Sequence, residues 1–220
     1  MLTDTHCHLY FDAFDPDREA VLDRARRAGV ERILCPGIDL PTSRAAVALA
    51  QAVPEVYAAV GVHPNDSAGW QPNLLDELRE LARHPKVVAI GEIGLDYYWE
   101  KVSHDLQQQA LRSQLGLAGE LGLPVVVHTR SASPQDTRCM ADALDILAQW
   151  QAELAASGSP LAGRPGVLHS FSGEAASANR AIQSNFQIGI TGPVTFKNAP
   201  GLQMVAAALP LNSLLVETDS

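Results

Sequence analysis

Short apolar runs alternate with amphipathic segments along the whole chain, and this alternation limits the possible folds more than any other feature. Val87 to Ile90 is a continuous apolar run rich in β-branched residues, which is typical of a strand buried on both faces. Before it, Leu74, Leu75, Leu78 and Leu81 have the i, i+3 and i+4 spacing of one helix face. Along the chain the pattern gives eight strands and seven helices in strict alternation, which predicts a parallel sheet.

Eight such units close most naturally into a (β/α)8 TIM barrel, for which about 250 residues is typical. The predicted strands are Leu2–His6, Val30–Cys35, Val56–Val60, Val87–Ile90, Leu123–His128, Gly166–His169, Phe186–Ile190 and Leu214–Asp219. An open doubly wound sheet is the competing fold, but ionisable residues at so many strand ends fit the mouth of a barrel better. The last strand ends one residue before Ser220, so the final helix is absent. We therefore expect residues 1–220 to form a single domain, truncated at its C-terminus.

Composition narrows the class of partner. The formal net charge is −9, which counts against a broad basic groove for coating nucleic acid. It does not exclude a phosphate-containing substrate, because bound divalent cations invert the local electrostatics. The hydrophobic fraction of 46% supports a substantial core, and no stretch approaches the ~20 apolar residues that cross a bilayer.

The cysteines and the N-terminus indicate the compartment. Cys7, Cys35 and Cys139 are widely spaced and form no CxxC pair, so we expect reduced thiols. Cys7 lies between two histidines, but side chains alternate along a strand, so it should face away from both rings. The first residues contain no basic leader, and we expect a cytoplasmic protein without membrane association and with no obligate protein partner.

Six ionisable residues lie at the ends of predicted strands, and together they suggest a metal site. They are His6 and His8 at the end of strand one, Glu92 at the end of strand four, His128 at the end of strand five, His169 at the end of strand six and Asp219 at the end of strand eight. A single histidine at a strand end is more often a hydrogen-bonded structural residue, so the repetition at five strand ends carries the argument. Four imidazoles and two carboxylates exceed the ligand set of one tetrahedral ion with an open position. They suit two divalent cations bridged by one carboxylate, about 3.5–4 Å apart.

The three remaining histidines lie outside this set. His84, before a proline, and His104, at a helix start, lie away from the strand ends, and we assign them no role. His63 lies in the exit loop of strand three, between Val62 and Pro64. We expect it to contact substrate or to be structural rather than to bind a metal.

The motifs that carry these residues resemble a known family. They are Thr5-His6-Cys7-His8, Gly61-Val62-His63-Pro64, Gly91-Glu92-Ile93-Gly94-Leu95-Asp96, Val127-His128-Thr129-Arg130, His169-Ser170-Phe171-Ser172-Gly173 and Glu217-Thr218-Asp219. In this order, from Asp4 to Ser220, the chain resembles the TatD-like metal-dependent hydrolases, a branch of the amidohydrolase superfamily. The resemblance implies a TIM barrel with a two-metal site and deoxyribonuclease activity, often as a 3′ exonuclease.

The resemblance also implies roles for individual residues. His6, His8, Glu92 and Asp219 would hold one cation, and Glu92, His128 and His169 would hold the other, with Glu92 as the bridge. Glu92 and Asp219 would be catalytic, with Asp219 placed to deprotonate a metal-activated water. By position alone, His63, Tyr98 and Arg130 could contact the substrate. Ser170 departs from the family pattern, which often has Cys there, and the segment from Arg138 to Gly163 is longer than usual.

Three functions remain open at this stage. The leading one is cleavage of DNA, single-stranded or at ends, with Mg²⁺, Mn²⁺ or Zn²⁺ as the two cations. The second is metal-dependent hydrolysis of a carboxylic or aminoacyl ester or an amide, in which the same site attacks a carbonyl group. The third is an inactive barrel that keeps its ligands and serves as a metal-binding protein.

Overall fold

Eight parallel strands form one sheet in sequence order, in a computed structural model that describes residues 2–133 and 135–220. The strands are β1 (Leu2–Asp4), β2 (Val30–Pro36), β3 (Val56–Val60), β4 (Val87–Asp96), β5 (Val125–Arg130), β6 (Gly166–Leu168), β7 (Gln187–Ile190) and β8 (Leu214–Val216). Within the described residues the α-helices are α1 (Arg18–Arg27), α2 (Leu40–Ala52), α3 (Asn73–Leu81), α4 (His104–Leu121), α5 (Arg138–Ala156), α6 (Ala175–Gln183) and α7 (Pro200–Ala208). The predicted alternation is confirmed.

Backbone hydrogen bonds join the first and last strands into a nearly closed barrel. The Thr5 N–H donates to the Val216 carbonyl at 3.2 Å, and the Asp219 N–H donates to the His6 carbonyl at 2.9 Å. The His8 N–H donates to the Ser220 carbonyl at 2.6 Å. The predicted TIM barrel is therefore confirmed, and the exits of β1 and β8 lie side by side on its rim.

Local sequence signals place the helices around this barrel. At the start of α2, the Asp39 carboxylate accepts a hydrogen bond from the Thr42 N–H at 2.8 Å, which satisfies a backbone donor that the helix leaves free. Ser103 caps α4 in the same way, and Gly122 ends that helix in the left-handed conformation, at φ 67°. Within the described residues, none of the helices combines the length and the apolarity that crossing a membrane requires.

Two apolar layers hold the barrel together. Small side chains fill its interior, where Ala59, Ala89, Val126 and Val167 form a buried cluster. The larger layer lies between the strands and the surrounding helices and contains most of the fully buried side chains. Cys7 belongs to this outer layer, so its thiol faces away from His6 and His8 as predicted.

The strand that carries Glu92 is longer than predicted. The run was expected to end at Ile90, but β4 continues to Asp96 because β5 pairs with it over the added length, from Ile93 opposite Val127 to Asp96 opposite Arg130. The prediction that Glu92 follows the end of the strand is therefore wrong. The register shifts between Ile90 and Ile93, and the Glu92 N–H donates to the Gly37 carbonyl of the β2 exit at 2.8 Å.

The first and last strands, β1 and β8, end earlier than predicted. β1 ends at Asp4 and β8 at Val216, so His6 and Asp219 lie in exit segments rather than in strands. The Thr218 hydroxyl donates to the Asp4 carboxylate at 2.7 Å, which ties the β8 exit to β1.

Candidate metal centre

The Glu92 carboxylate lies at the centre of the rim and is 3% exposed. Ring nitrogens of five histidines surround it. Its Oε2 is 3.3 Å from His6 Nε2 and 3.7 Å from His8 Nε2, and its Oε1 is 2.9 Å from His169 Nε2, 3.0 Å from His128 Nδ1 and 3.6 Å from His63 Nε2. Each carboxylate oxygen therefore has its own group of imidazoles.

The Oε2 side of Glu92 has the spacing of a cation site. His6 Nε2 and His8 Nε2 are 3.1 Å apart, and Asp219 Oδ1 is 3.8 Å from His6 Nε2. Ligand atoms that lie about 2.0–2.2 Å from one cation in tetrahedral arrangement are separated by roughly 3.3–3.6 Å. The separations among His6, His8 and Glu92, from 3.1 to 3.7 Å, lie close to that range, and the 3.8 Å between Asp219 and His6 lies just beyond it.

The Oε1 side of Glu92 has a similar spacing of ligand atoms, and further hydrogen bonds hold one of its histidines in place. His128 Nδ1 and His169 Nε2 are 3.4 Å apart, and both contact Glu92 Oε1. On the far side of its ring, His128 Nε2 is 3.3 Å from Asp96 Oδ2. The Asp96 carboxylate in turn accepts a hydrogen bond from the Asn65 amide at 2.9 Å. This chain of contacts fixes the orientation of the His128 ring.

Three residues beside this group, Asp96, His63 and Glu217, were not predicted from the sequence to bind or orient a metal. Asp96 was noted only as part of the β4 motif, although it closes that strand and contacts His128. His63 was expected to contact substrate or to be structural, yet His63, Glu92 and His128 offer ligand atoms within 4.8 Å of one another. The third potential ligand group of this kind joins His6 and His169 to Glu217, the first residue of the ETD motif. Asp96 ends β4 and Glu217 directly follows β8, so only the observed strand bounds, and not the predicted ones, mark these two residues as strand-end residues.

The charge states of these groups suit a metal site. Burial lowers the pKa of His6 and of His63 to about 4, so both rings are neutral at pH 7 and carry a free lone pair. Burial opposes ionisation of Glu92, but the nearby His169, His6 and His128 outweigh it and hold its pKa well below the usual range. Neutral imidazole and ionised carboxylate are the forms that bind cations, so the donor set fits divalent metals.

His128 behaves differently from these neutral rings. Burial lowers its pKa, but contacts with Asp96 and Glu92 outweigh burial and raise it to about 9. A cation at this position would therefore displace a proton from His128.

Asp219 stands at the mouth of the site rather than inside it. Its side chain is 36% exposed, and its backbone takes the left-handed conformation at φ 55°, which aspartate tolerates better than most residues. The exit of β8 is held there by the hydrogen bond from the Asp219 N–H to the His6 carbonyl.

The site opens into a cleft of about 600 Å³, called here the metal cleft. Its lining includes His8, Phe11, His63, Glu92, Lys101, His128, Arg130, His169, Ser172 and Asp219. Among the described residues of this lining, Lys101 and Arg130 carry the permanent positive charge. Phe11 stacks on His8 with ring centroids 5.0 Å apart. Lys101 and Phe11 lie in exit loops, where no strand-end pattern marks them.

A nearly closed eight-stranded barrel with histidines and carboxylates converging at its strand exits defines a metal-dependent hydrolase. The family model of the TatD-related DNases matches residues 3–220. The chain therefore belongs to the TatD-related DNase family, and the resemblance seen in its motifs is confirmed.

Individual relatives agree with this assignment. The chain is 39% identical over 219 residues to the uncharacterized metal-dependent hydrolase YabD of Bacillus subtilis, an alignment that covers 100% of the chain and 80% of YabD. It is 34% identical over 220 residues to the 3′-5′ ssDNA/RNA exonuclease TatD of Pectobacterium atrosepticum, covering 99% of the chain and 78% of that relative. The crystal structure of YjjV, a TatD homologue from Escherichia coli K12, superposes with a TM-score of 0.86 at 37% identity, covering 99% of the chain and 78% of YjjV.

Proposed function

We propose that this protein is a nuclease that hydrolyses phosphodiester bonds of DNA with two divalent cations, which Glu92 would hold together with the surrounding histidines and Asp219. The observation that carries the proposal is the buried Glu92 carboxylate with separate imidazole groups on Oε1 and Oε2. His6, His8 and Asp219 would hold the cation on the Oε2 side, and His128 and His169 the cation on the Oε1 side. Membership of a DNase family and the named exonuclease activity of the Pectobacterium relative support the choice of substrate.

The protein's own residues would divide the work at this site. When bound, the cations supply an activated water and neutralise the charge that develops on the phosphate. Asp219, at the mouth, would serve as the proton acceptor through its carboxylate, which is 36% exposed and lies 3.8 Å from His6 Nε2. Arg130, Lys101 and His63 line the same cleft and contact the phosphate groups of the strand.

Overall charge favours a short or single-stranded substrate. The net charge of −9 repels long duplex DNA, whose binding takes many phosphate contacts. The metal cleft offers Lys101 and Arg130 together with the bound cations, which is enough for a few phosphates at a strand end. The three buried free cysteines fit a reducing compartment, and we place the protein in the cytoplasm.

The test is nucleotide release from labelled single-stranded DNA after the protein has been stripped with EDTA and resupplied with Mg²⁺, Mn²⁺ or Zn²⁺. We expect release only with added metal. Glu92→Gln should abolish release and weaken metal binding more than about 100-fold, the upper end of losses seen when only the neighbours of metal ligands are changed. The matched control is Glu19→Gln, an exposed carboxylate on α1 outside the metal cleft, for which we expect wild-type activity. The proposal fails if no cation supports nucleotide release, or if the Glu92 variant releases nucleotides as the wild type does. Metal-dependent cleavage of carboxylic esters or amides without nucleotide release would also overturn it.

A further inference from the structure

A second cleft of about 400 Å³ adjoins the metal cleft and shares Thr129, Arg130 and Ser172 with it. Its volume lies within the roughly 300–1,000 Å³ range of small-molecule sites. Its lining also contains Tyr98, several hydroxyl side chains and the carboxylates of Asp136 and Glu174. Asp136 pairs with Arg138, and Glu174 is matched in charge by Arg130, the single cation in the described lining, so the second cleft lacks the surplus of positive charge that suits a phosphate group and an uncharged planar group fits there better.

An exposed aromatic pair adjoins the second cleft: Tyr98 belongs to its lining, and Trp99 follows it outside the lining. Tyr98 is 47% exposed and Trp99 is 46% exposed, whereas the preceding Tyr97 is buried. The rings of Tyr98 and Trp99 meet edge to face with centroids 4.9 Å apart. Two large neighbouring aromatics left open to solvent beside a cleft indicate a binding surface.

The basic residues of the metal cleft border this aromatic pair. The guanidinium carbon of Arg130 lies 4.1 Å from the Tyr98 ring centroid and 5.8 Å from that of Trp99. Lys101 Nζ lies 5.6 Å from the Trp99 ring centroid. Aromatic faces interleaved with positive charges are the means by which proteins bind single strands, since bases stack on the rings while phosphates meet the cations.

We propose that the second cleft and the Trp99 ring beside it form a nucleotide subsite, in which the base next to the scissile phosphate stacks on Tyr98 in the cleft and the following base on Trp99 outside it. Arg130 and Lys101 then lie on the phosphate side of the strand. This inference rests on the proposed nuclease function and gives Tyr98 a base contact where the sequence suggested only a substrate contact. Because stacking accepts every base, the subsite selects for an unpaired strand without selecting its sequence.

Tryptophan fluorescence gives a direct measurement of this contact. The chain contains Trp70, Trp99 and Trp150, of which Trp70 and Trp150 are buried, at 9% and 6% exposure. We expect an oligothymidylate of about ten nucleotides, added to the EDTA-treated protein so that no hydrolysis occurs, to quench the emission of Trp99. Trp99→Phe should lose the quenching and keep the affinity, and Trp70→Phe should keep both.

Affinity of the variants for an end-labelled oligothymidylate tests the energetics by fluorescence anisotropy. Trp99→Ala and Tyr98→Ala should each weaken binding by about five- to a hundredfold, the range seen when one stacked base loses its aromatic partner. An oligonucleotide with a single abasic position, scanned inward from each end, should lose affinity at one position by the same factor as Tyr98→Ala. In the Tyr98→Ala protein that abasic position should cause no further loss.

The outcomes separate this inference from the proposed function. If the wild type releases nucleotides with metal but the two alanine variants keep wild-type affinity and KM, the subsite is wrong and the nuclease stands. An abasic effect that is the same in the wild type and in Tyr98→Ala likewise overturns the subsite. If no cation supports hydrolysis while quenching and abasic coupling are present, the nuclease fails and the strand-binding subsite stands.

Discussion

At the scale of single residues, Glu217 is a buried acid that touches the site without pointing into its cleft. Its Oε1 accepts a hydrogen bond from the Ser170 N–H and lies 3.8 Å from His169 Nδ1. A Cβ at Gly189 would overlap this carboxylate, so the glycine makes room for it. Burial raises the pKa of Glu217 to about 7, and the nearby His169 only partly opposes the effect. Its ionisation therefore takes place near neutral pH.

This pKa predicts a pH-dependent loss of stability. The folded protein keeps the Glu217 proton between the ordinary value of 4.5 and about 7, whereas the unfolded chain releases it. The stability from this group is fully present below pH 4.5 and is lost as the pH rises through about 7. Relative to Glu217→Gln, the wild type should lose roughly 3 kcal/mol of unfolding free energy between about pH 4.5 and pH 8. Urea denaturation in EDTA measures the difference.

The control for this measurement is Glu19→Gln, which changes an exposed carboxylate on α1. A pH dependence that both variants share would contradict the assignment to Glu217. Removing the metal matters here because a cation on His169 would stabilise the ionised form of the neighbouring acid.

At the scale of elements, β4 is the strand whose length the local sequence predicts least well. Gly91, Glu92 and Gly94 disfavour a strand locally, so the run was expected to end at Ile90. The strand continues because β5 supplies paired backbone out to Asp96, and that partner is distant in sequence. Close packing explains the glycine at 91, since a Cβ there would lie 2.7 Å from the Val126 Cβ and 2.9 Å from the Val126 carbonyl oxygen.

Gly91→Ala should therefore destabilise the barrel and disturb the metal centre. Overpacking of this kind costs about 1–3 kcal/mol, and the forced shift would move the adjoining Glu92 carboxylate. The matched control is Gly116→Ala in α4, where a Cβ meets no atom within 4 Å, and which should stabilise the protein by up to about 1 kcal/mol. Denaturation midpoints and metal titrations of both variants check this. Wild-type stability together with wild-type metal affinity in Gly91→Ala would show that β4 relaxes freely.

Part of the candidate metal centre could be predicted from the sequence. The convergence of His6, His128 and His169 could be predicted because the exits of parallel strands meet at one rim. Glu92 reaches the same rim although β4 continues past it to Asp96. No comparable sequence pattern predicts where loop residues lie. Lys101 and Phe11 reach the cleft through the path of their loops, which depends on contacts with distant segments. For the same reason His63 was placed near the substrate but not within 3.6 Å of Glu92.

At the scale of the whole molecule, charge is distributed unevenly between surface and site. The chain carries a net −9, yet Lys101 and Arg130 both line the metal cleft beside the exposed Tyr98 and Trp99. The net charge therefore repels a nucleic acid strand, and in the metal-free protein its ionic contacts are limited to Lys101 and Arg130, because Asp66, Glu92 and Asp219 line the same cleft. We therefore expect a nucleic acid strand to bind with few ionic contacts and a large contribution from stacking.

This distribution predicts a shallow salt dependence. Each phosphate neutralised on a single strand adds about −0.7 to the slope of log affinity against log salt, so Lys101 and Arg130 together give a slope of roughly −1.4 for the metal-free protein. Arg130→Ala should reduce the slope by about 0.7, whereas Arg83→Ala, an exposed residue after α3 that pairs with Glu80, should leave it unchanged. Anisotropy titrations of an oligothymidylate between about 50 and 200 mM NaCl, in EDTA, measure these slopes. A slope several times steeper, or one that Arg130→Ala does not alter, would mean that the strand binds a broader basic surface elsewhere, and the path across Tyr98 and Trp99 would then be wrong.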